Sequence, residues 1–192
     1  MALSKIDVAN MLTGAVPVAN GGTALTSGFV NGFNSAPMVD TWLVTASFTG
    51  TAEPISSNLS RSLDDSAQGH AQFGSINMTE SSGIFTFPQT GFYLVEFFLL
   101  IDEQGSGADG HVTAQIEATA NNSTYVEIAW AYMGIGGSDI TDAGHASAVF
   151  DITDTTNQKV RFAVAGQESS NRALAASDYM LTGMRFTRLG DT

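Results

Sequence analysis

The sequence contains no cysteine, and its 7 lysines and arginines stand against 19 aspartates and glutamates, for a formal net charge of -12. Without cysteine there is no disulfide, no thiolate nucleophile and no structural zinc of the thiolate type. The acid excess surrounds the molecule with a field that repels phosphate, and no basic patch is present to release counterions, so nucleic acid is excluded as a partner. Long apolar runs are also missing. The longest, Phe97 to Ile101, is far short of the roughly 20 residues of a spanning helix, which argues against membrane insertion. Charged residues are only 14% of the chain, yet a hydrophobic content of 43% is too high for a disordered polymer. A chain of 192 residues makes one domain with room for a tail. The opening MALSKIDVANMLTG lacks the apolar core of a secretory signal, so release by cell lysis is expected rather than export.

Catalytic signatures are absent too: no H-E-x-x-H, no G-x-S-x-G and no phosphate-binding G-K-[ST], and the G-x-G-x-x-G of GSGADG leads into the period-two run Val112, Ala114, Ile116, Ala118 instead of the helix a dinucleotide site needs. His70, His111 and His145 fall in three separate turn-rich segments. The expectation is a protein that is not an enzyme and carries no cofactor. Acidic residues gather in turns; should the chain hold a calcium ion, Asp102 and Asp109 around the GSGADG turn are the first candidate ligands.

What is present is a period of two. Trp42 and Val44; Phe85 and Phe87; Val112, Ala114, Ile116 and Ala118; Val126, Ile128, Trp130 and Tyr132; Phe150 and Ile152; Val160, Phe162 and Val164; and Met184 and Phe186 each form one greasy face of a strand. Polar turns rich in Gly, Asn, Asp and Ser separate these runs, and no window after residue 40 sustains a helical period. This pattern predicts about eight to ten strands in an all-β sandwich or jelly roll. In this register Trp130 and Tyr132 face the core and serve packing rather than sugar stacking.

One run is apolar on both faces. Between Phe92 and Ile101 the odd side chains are Tyr93, Val95, Phe97, Leu99 and Ile101; the even ones are Phe92, Leu94, Phe98 and Leu100, with Glu96 alone polar. A strand of this kind must be covered on both sides. With few helix-like segments to act as a lid, the expected cover for Phe92, Leu94, Phe98 and Leu100 is another subunit.

Residues 1–37 differ from the rest. Gly14, Gly21, Gly22, Gly28, Gly32, Pro17 and Pro37 punctuate a stretch with almost no charge after Asp7. Leu3, Ile6, Val8 and Leu12 lie roughly on one face, which permits a short helix over residues 3–12. The remainder has a turn signal every few residues and reads as an extended arm that gains order by lying on a partner. Ile6, Val8, Leu12, Val16, Pro17, Val18, Asn20, Gly21 and Gly22 are its candidate attachment residues, and residues 38–192 form the β domain.

The segment Gly83-Ile84-Phe85-Thr86-Phe87-Pro88-Gln89-Thr90-Gly91-Phe92-Tyr93-Leu94-Val95 resembles the G-x-F-x-x-P-x-x-G-x-Y-x-V signature of the C1q/TNF-like jelly-roll family. FDITDTTNQKVRFAV is similar to that family's late hairpin, and SDYMLTGMRF to its closing strand with a central glycine, Gly183. The resemblance implies a jelly roll that assembles as a homotrimer, which would cover the doubly apolar strand. The leader PVANGGTALTSGF resembles the P-V-A-N-G-G-T-G-x-T-S segment of tailed-bacteriophage fibre and virion proteins, with Ala24 in place of a glycine. That resemblance implies a virion structural protein, marine or cyanophage-like. Its arm would grip other virion proteins of capsid or tail, and the knob would serve as decoration or cement protein, fibre or adaptor. The alternative is a lectin-like module that recognises a host surface glycan. No collagen-like G-X-Y run accompanies the domain.

Overall fold

The structure, a computed structural model, describes residues 38–61, 73–74, 76–103, 109–136, 140–167 and 170–192. The chain divides between Ser35 and Ala36. The arm residues Ile6, Val8, Leu12, Val16, Pro17, Val18, Asn20, Gly21 and Gly22, the helix expected over residues 3–12, and His70 lie outside the described residues.

From residue 38 onward the described elements are all strands: β1 (Met38–Val44), β2 (Phe48–Thr49), β3 (Leu59–Arg61), β4 (Thr79–Ser81), β5 (Ile84–Thr86), β6 (Gly91–Glu103), β7 (Asp109–Thr119), β8 (Val126–Gly136), β9 (Thr141–Ile152), β10 (Lys159–Ala165), β11 (Asn171–Ala173) and β12 (Gly183–Gly190). They exceed the eight to ten expected because β2, β3, β4, β5 and β11 are pieces of three residues or fewer. Two antiparallel sheets result. In the first, β6 is the spine: β9 lies along one side from Gly91↔Ile152 to Asp102↔Thr141, and β12 and then β11 share the other. β1 and β3 follow outside β12, and β2 outside β11. The second sheet runs β4-β5-β10-β7-β8.

The core lies between the sheets. The odd residues of β6, Tyr93 through Ile101, are buried there, and so are Val112, Ala114 and Ile116 of β7 and Val160, Phe162 and Val164 of β10. Phe85 joins the layers: from β5 its ring sits 5.3 Å from Trp42 and 5.1 Å from Phe186 of the opposite sheet, and 5.4 Å from Phe162 of its own. Aromatic pairs in these edge-on and tilted arrangements add to the stabilisation from area burial alone.

The residues around Phe85 place it. Ser82 (φ 53°) and Gly83 (φ 82°) make the two-residue hairpin between β4 and β5, the left-handed pair such a turn demands. Gly91 has φ 143°, and a Cβ there would stand 2.5 Å from the Gly190 carbonyl oxygen and 2.8 Å from the Arg188 guanidinium. The turn before Gly91 is tied at both ends: Tyr93 donates its hydroxyl to the Gln89 carbonyl at 2.8 Å, and Arg188 donates to the Thr90 carbonyl at 2.8 Å. An ion pair between buried Asp40 and half-buried Arg61 anchors the first sheet's far side. Asp40 accepts from Arg61 Nε at 2.9 Å and from the Met78 N–H at 2.9 Å, so the carboxylate enters the interior already paired.

Two local expectations are corrected. FDITDTTNQKVRFAV is not a hairpin, because β9 pairs with β6 in one sheet while β10 pairs with β5 and β7 in the other. The polar turn is a corner between sheets. Asp154 accepts the Asn157 side-chain amide at 2.7 Å and the Thr156 N–H at 2.8 Å, and these bonds hold its carboxyl below the usual carboxylate value. Gly183 starts β12 instead of sitting at its centre.

Phe85→Ala removes the ring that touches both layers and leaves a cavity between them. The unfolding free energy in urea is expected to fall by about 3–5 kcal/mol. A loss below about 1.5 kcal/mol would place the link between the sheets elsewhere.

Candidate functional site

The two sheets turn very different faces outward. On the β6 sheet the even residues Phe92, Leu94, Glu96, Phe98 and Leu100 point away from the core; Phe92 is exposed and the others are half-buried. Pairing sets their neighbours. Leu94 lies opposite Val149, which is 62% exposed, and Leu100 lies opposite Ala143. Phe98 lies opposite His145 and stacks on its imidazole, with centroids 4.5 Å apart and planes 8° from parallel. A hollow of about 330 Å³ follows, lined by Phe98, Leu100, Ala143, His145, Met180 and Leu181.

Glu96 is the one acid of this stripe, and both flanking strands supply it with a partner. His145 Nε2 on β9 stands 3.3 Å from one carboxylate oxygen, and Arg185 Nη1 on β12 stands 3.9 Å from the other. The Arg185 guanidinium also lies 5.4 Å over the Phe98 ring. Covering the middle of this face therefore does not strand Glu96 as a bare carboxylate, which is what makes a charge within an apolar patch tolerable.

The β7 sheet looks outward through a different chemistry. Thr113 and Gln115 of β7 form a nearly buried polar floor, continued by Ala163 and Ala165 of β10. Gln115 Nε2 donates to Thr113 Oγ1 at 3.5 Å, and Thr113 donates to the Ala165 carbonyl at 3.2 Å. Further along, Arg161 donates to Glu117 and lies 4.3 Å over the Tyr125 ring. Tyr132 and Trp130 wall this floor on the β8 side.

Placing Trp130 and Tyr132 outside corrects the core-facing register expected for them. Trp130 is 46% and Tyr132 59% exposed. The cause is a bulge: Ile116 pairs with Ala129 but Glu117 pairs with Glu127, leaving Ile128 as an extra residue. Before the bulge Val126 lies opposite Ala118, and both line, with Ile128, Phe150 and Ile152, a cleft of about 200 Å³ at the sandwich edge. After it, Ala129, Ala131 and Met133 turn toward the core, and Trp130 and Tyr132 share the outward side with Gln115 and Thr113. The sequence does carry a second register, Ala129, Ala131 and Met133, which pair with Ile116, Ala114 and Val112, but along the strand alone it is masked by the bulkier Ile128, Trp130 and Tyr132.

The remaining candidates are dispersed. Asp102 accepts from Arg172 Nη2 at 2.7 Å on the first sheet, whereas Asp109 opens β7 on the second and its side chain lies outside the described residues. Among the described residues no group of three or more His, Asp or Glu side chains stands close enough to hold a metal ion. His145 and His111 lie on different sheets, each against an aromatic ring, Phe98 and Tyr132 respectively. Near the C-terminus, Met184 and Phe186 enter the core while Met180 borders the outward hollow.

No protein-family model matches the chain, and neither does any curated protein. Solved structures do. Murine APRIL at pH 5.0 superposes with a TM-score of 0.56 at 11% identity, over 80% of this chain and 99% of that one. Eiger TNF from S. frugiperda superposes with a TM-score of 0.60 at 10% identity, over 82% and 96%. The fold is a TNF-like jelly roll.

Tyr125 offers a check on the second face. Burial lifts its phenol above the ordinary value, with the Arg161 charge opposing and Glu117 adding. The folded chain thus holds this proton longer than the unfolded chain, and the associated stability is present below about pH 10 and lost as pH rises through the folded value. The hydroxyl is buried without a hydrogen-bond partner among the described residues. Tyr125→Phe is expected to change neutral-pH stability by less than about 1 kcal/mol and to flatten the alkaline loss. Destabilisation beyond about 2 kcal/mol in neutral urea titrations would reveal a partner for the hydroxyl.

Proposed function

We propose that this chain is a non-enzymatic structural protein of a tailed-phage virion: a trimeric jelly-roll knob held to the particle by residues 1–37. The observation that carries the assembly is the outward face of the β6 sheet. Phe92, Leu94, Phe98, Leu100 and Val149 form an apolar surface around a carboxylate that already has the Arg185 guanidinium and the His145 imidazole beside it. Monomeric proteins seldom leave a patch of this kind in water, and a second copy is the cover whose geometry the fold can repeat. Three copies is the number that the family resemblance of the Gly83–Val95 segment implies.

The virion assignment rests on the leader. PVANGGTALTSGF is uncharged and carries little apolar bulk, so it offers backbone and small side chains to a partner instead of a core of its own. The β domain then displays its second sheet and its loops away from the subunit contact.

Light scattering behind a sizing column tests the assembly on the full chain. Three chain masses are expected from micromolar down to nanomolar concentration, and Leu94→Asp or Phe98→Asp should give a folded monomer, because each copy then brings an unpaired charge to the contact. A wild-type monomer at micromolar concentration would sink the trimer. Antibody labelling of particles from a lysate containing the chain tests the location; label confined to the soluble fraction would overturn it.

A further inference from the structure

We infer that Trp130, Tyr132 and Gln115 form a binding subsite for an uncharged hexose unit of a glycan, on the outward face of the β7 sheet. This goes beyond the structural role, and it does not depend on the trimer, because the platform lies on the opposite layer from Leu94 and Phe98.

The indole of Trp130 and the phenol of Tyr132 stand 5.5 Å apart at 64° on the outward side of an edge strand, with the His111 ring 5.3 Å beyond Tyr132. Two large rings left 46% and 59% exposed are costly in water unless a ligand covers them. The floor decides which ligand. The Thr113 hydroxyl is already paired with the Ala165 carbonyl, but an apolar protein partner would seal off what is left exposed of the Gln115 amide with its hydrogen-bonding capacity unfilled, a penalty of about 1–3 kcal/mol. A sugar ring has both surfaces the site asks for. Its C–H face meets the negative π-face of the indole, and its hydroxyls reach the amide, whose only bond among the described residues is a long one of 3.5 Å.

Charge narrows the class further. Glu127 stands beside the platform opposite Glu117, whose charge Arg161 already meets, and the chain carries -12 overall. Sialylated, sulfated or phosphorylated glycans meet a repulsive field, and neutral ones do not. The site is shallow, so a dissociation constant on the order of a millimolar per subsite is expected.

The fluorescence of the full chain reads the site directly. Of its two tryptophans, Trp42 is buried and Trp130 is exposed, so acrylamide quenching reports mainly on Trp130. Cellohexaose, maltohexaose, xylohexaose and a mannan oligosaccharide are titrated in turn, followed by calorimetry on any that protect. At least one is expected to shield the indole saturably. Trp130→Ala should weaken that binding at least about tenfold, and Trp130→Phe, which keeps a stacking face, should stay within about threefold. Circular dichroism confirms that both variants are folded. Failure of the whole panel to protect Trp130 would overturn the inference, and so would undiminished binding by Trp130→Ala. A changed native mass of Trp130→Ala would overturn it in favour of a contact between copies.

Discussion

The structure depends on the contact of one phenylalanine with both layers. β5 is three residues long and could not hold a sheet in place by its ladder alone, yet Phe85 sets the spacing between the sheets against Trp42 and Phe186. Once that spacing is fixed, the rest follows by alternation. Tyr93 packs on Phe87 at 4.8 Å, which aligns β6 with the turn that precedes it. Every odd residue of β6 then points inward, so every even one must point out. The apolar outward stripe is therefore an enforced result of the core and not a separate feature.

The two outward faces differ in how they treat polar groups, and this difference separates their partners. On the β6 sheet the lone acid is met by His145 and Arg185, and its neighbours are apolar, as in a core cut in half. On the β7 sheet the order is reversed: amide and hydroxyl lie low while the aromatic rings stand up at the edge. The first can lose its water to a copy of itself without unpaired charge. The second, as inferred above, would lose its water most favourably to something that carries hydroxyls and a flat apolar surface together.

Much of this was legible in the sequence because turn chemistry fixes register. Gly83 and Gly91 need positive φ, Pro88 breaks the strand between them, and Phe85, Phe87 and Tyr93 are thereby committed to one side. The doubly apolar β6 was equally readable, since thirteen residues without a break leave no room for a parity change. β8 was not. Its run Val126, Ile128, Trp130, Tyr132 keeps a perfect period of two in the sequence, while the bulge at Ile128 reverses the side on which the second half emerges. A pattern read along one strand cannot register an inserted residue that only the partner strand reveals. The β9–β10 corner was misread for a related reason: a polar turn has one chemistry whether the next strand returns beside the last or crosses to the other sheet.

Net charge completes the account of why the apolar face must be large. Copies carrying -12 repel one another at long range, but at physiological ionic strength that repulsion is screened beyond roughly 8 Å. Contact therefore opposes only the charges that lie at the surface where copies meet. Along the stripe of β6 the acid is Glu96, and its balance is local: a carboxylate between a guanidinium and an imidazole. Much of the chain's acidity lies instead in corners and loops such as Asp154 and Asp178, and on this face another acid, Asp151, stands exposed at its margin opposite Phe92. An acidic chain can thus associate through one face without its overall charge forbidding it, provided that face settles its own charges first.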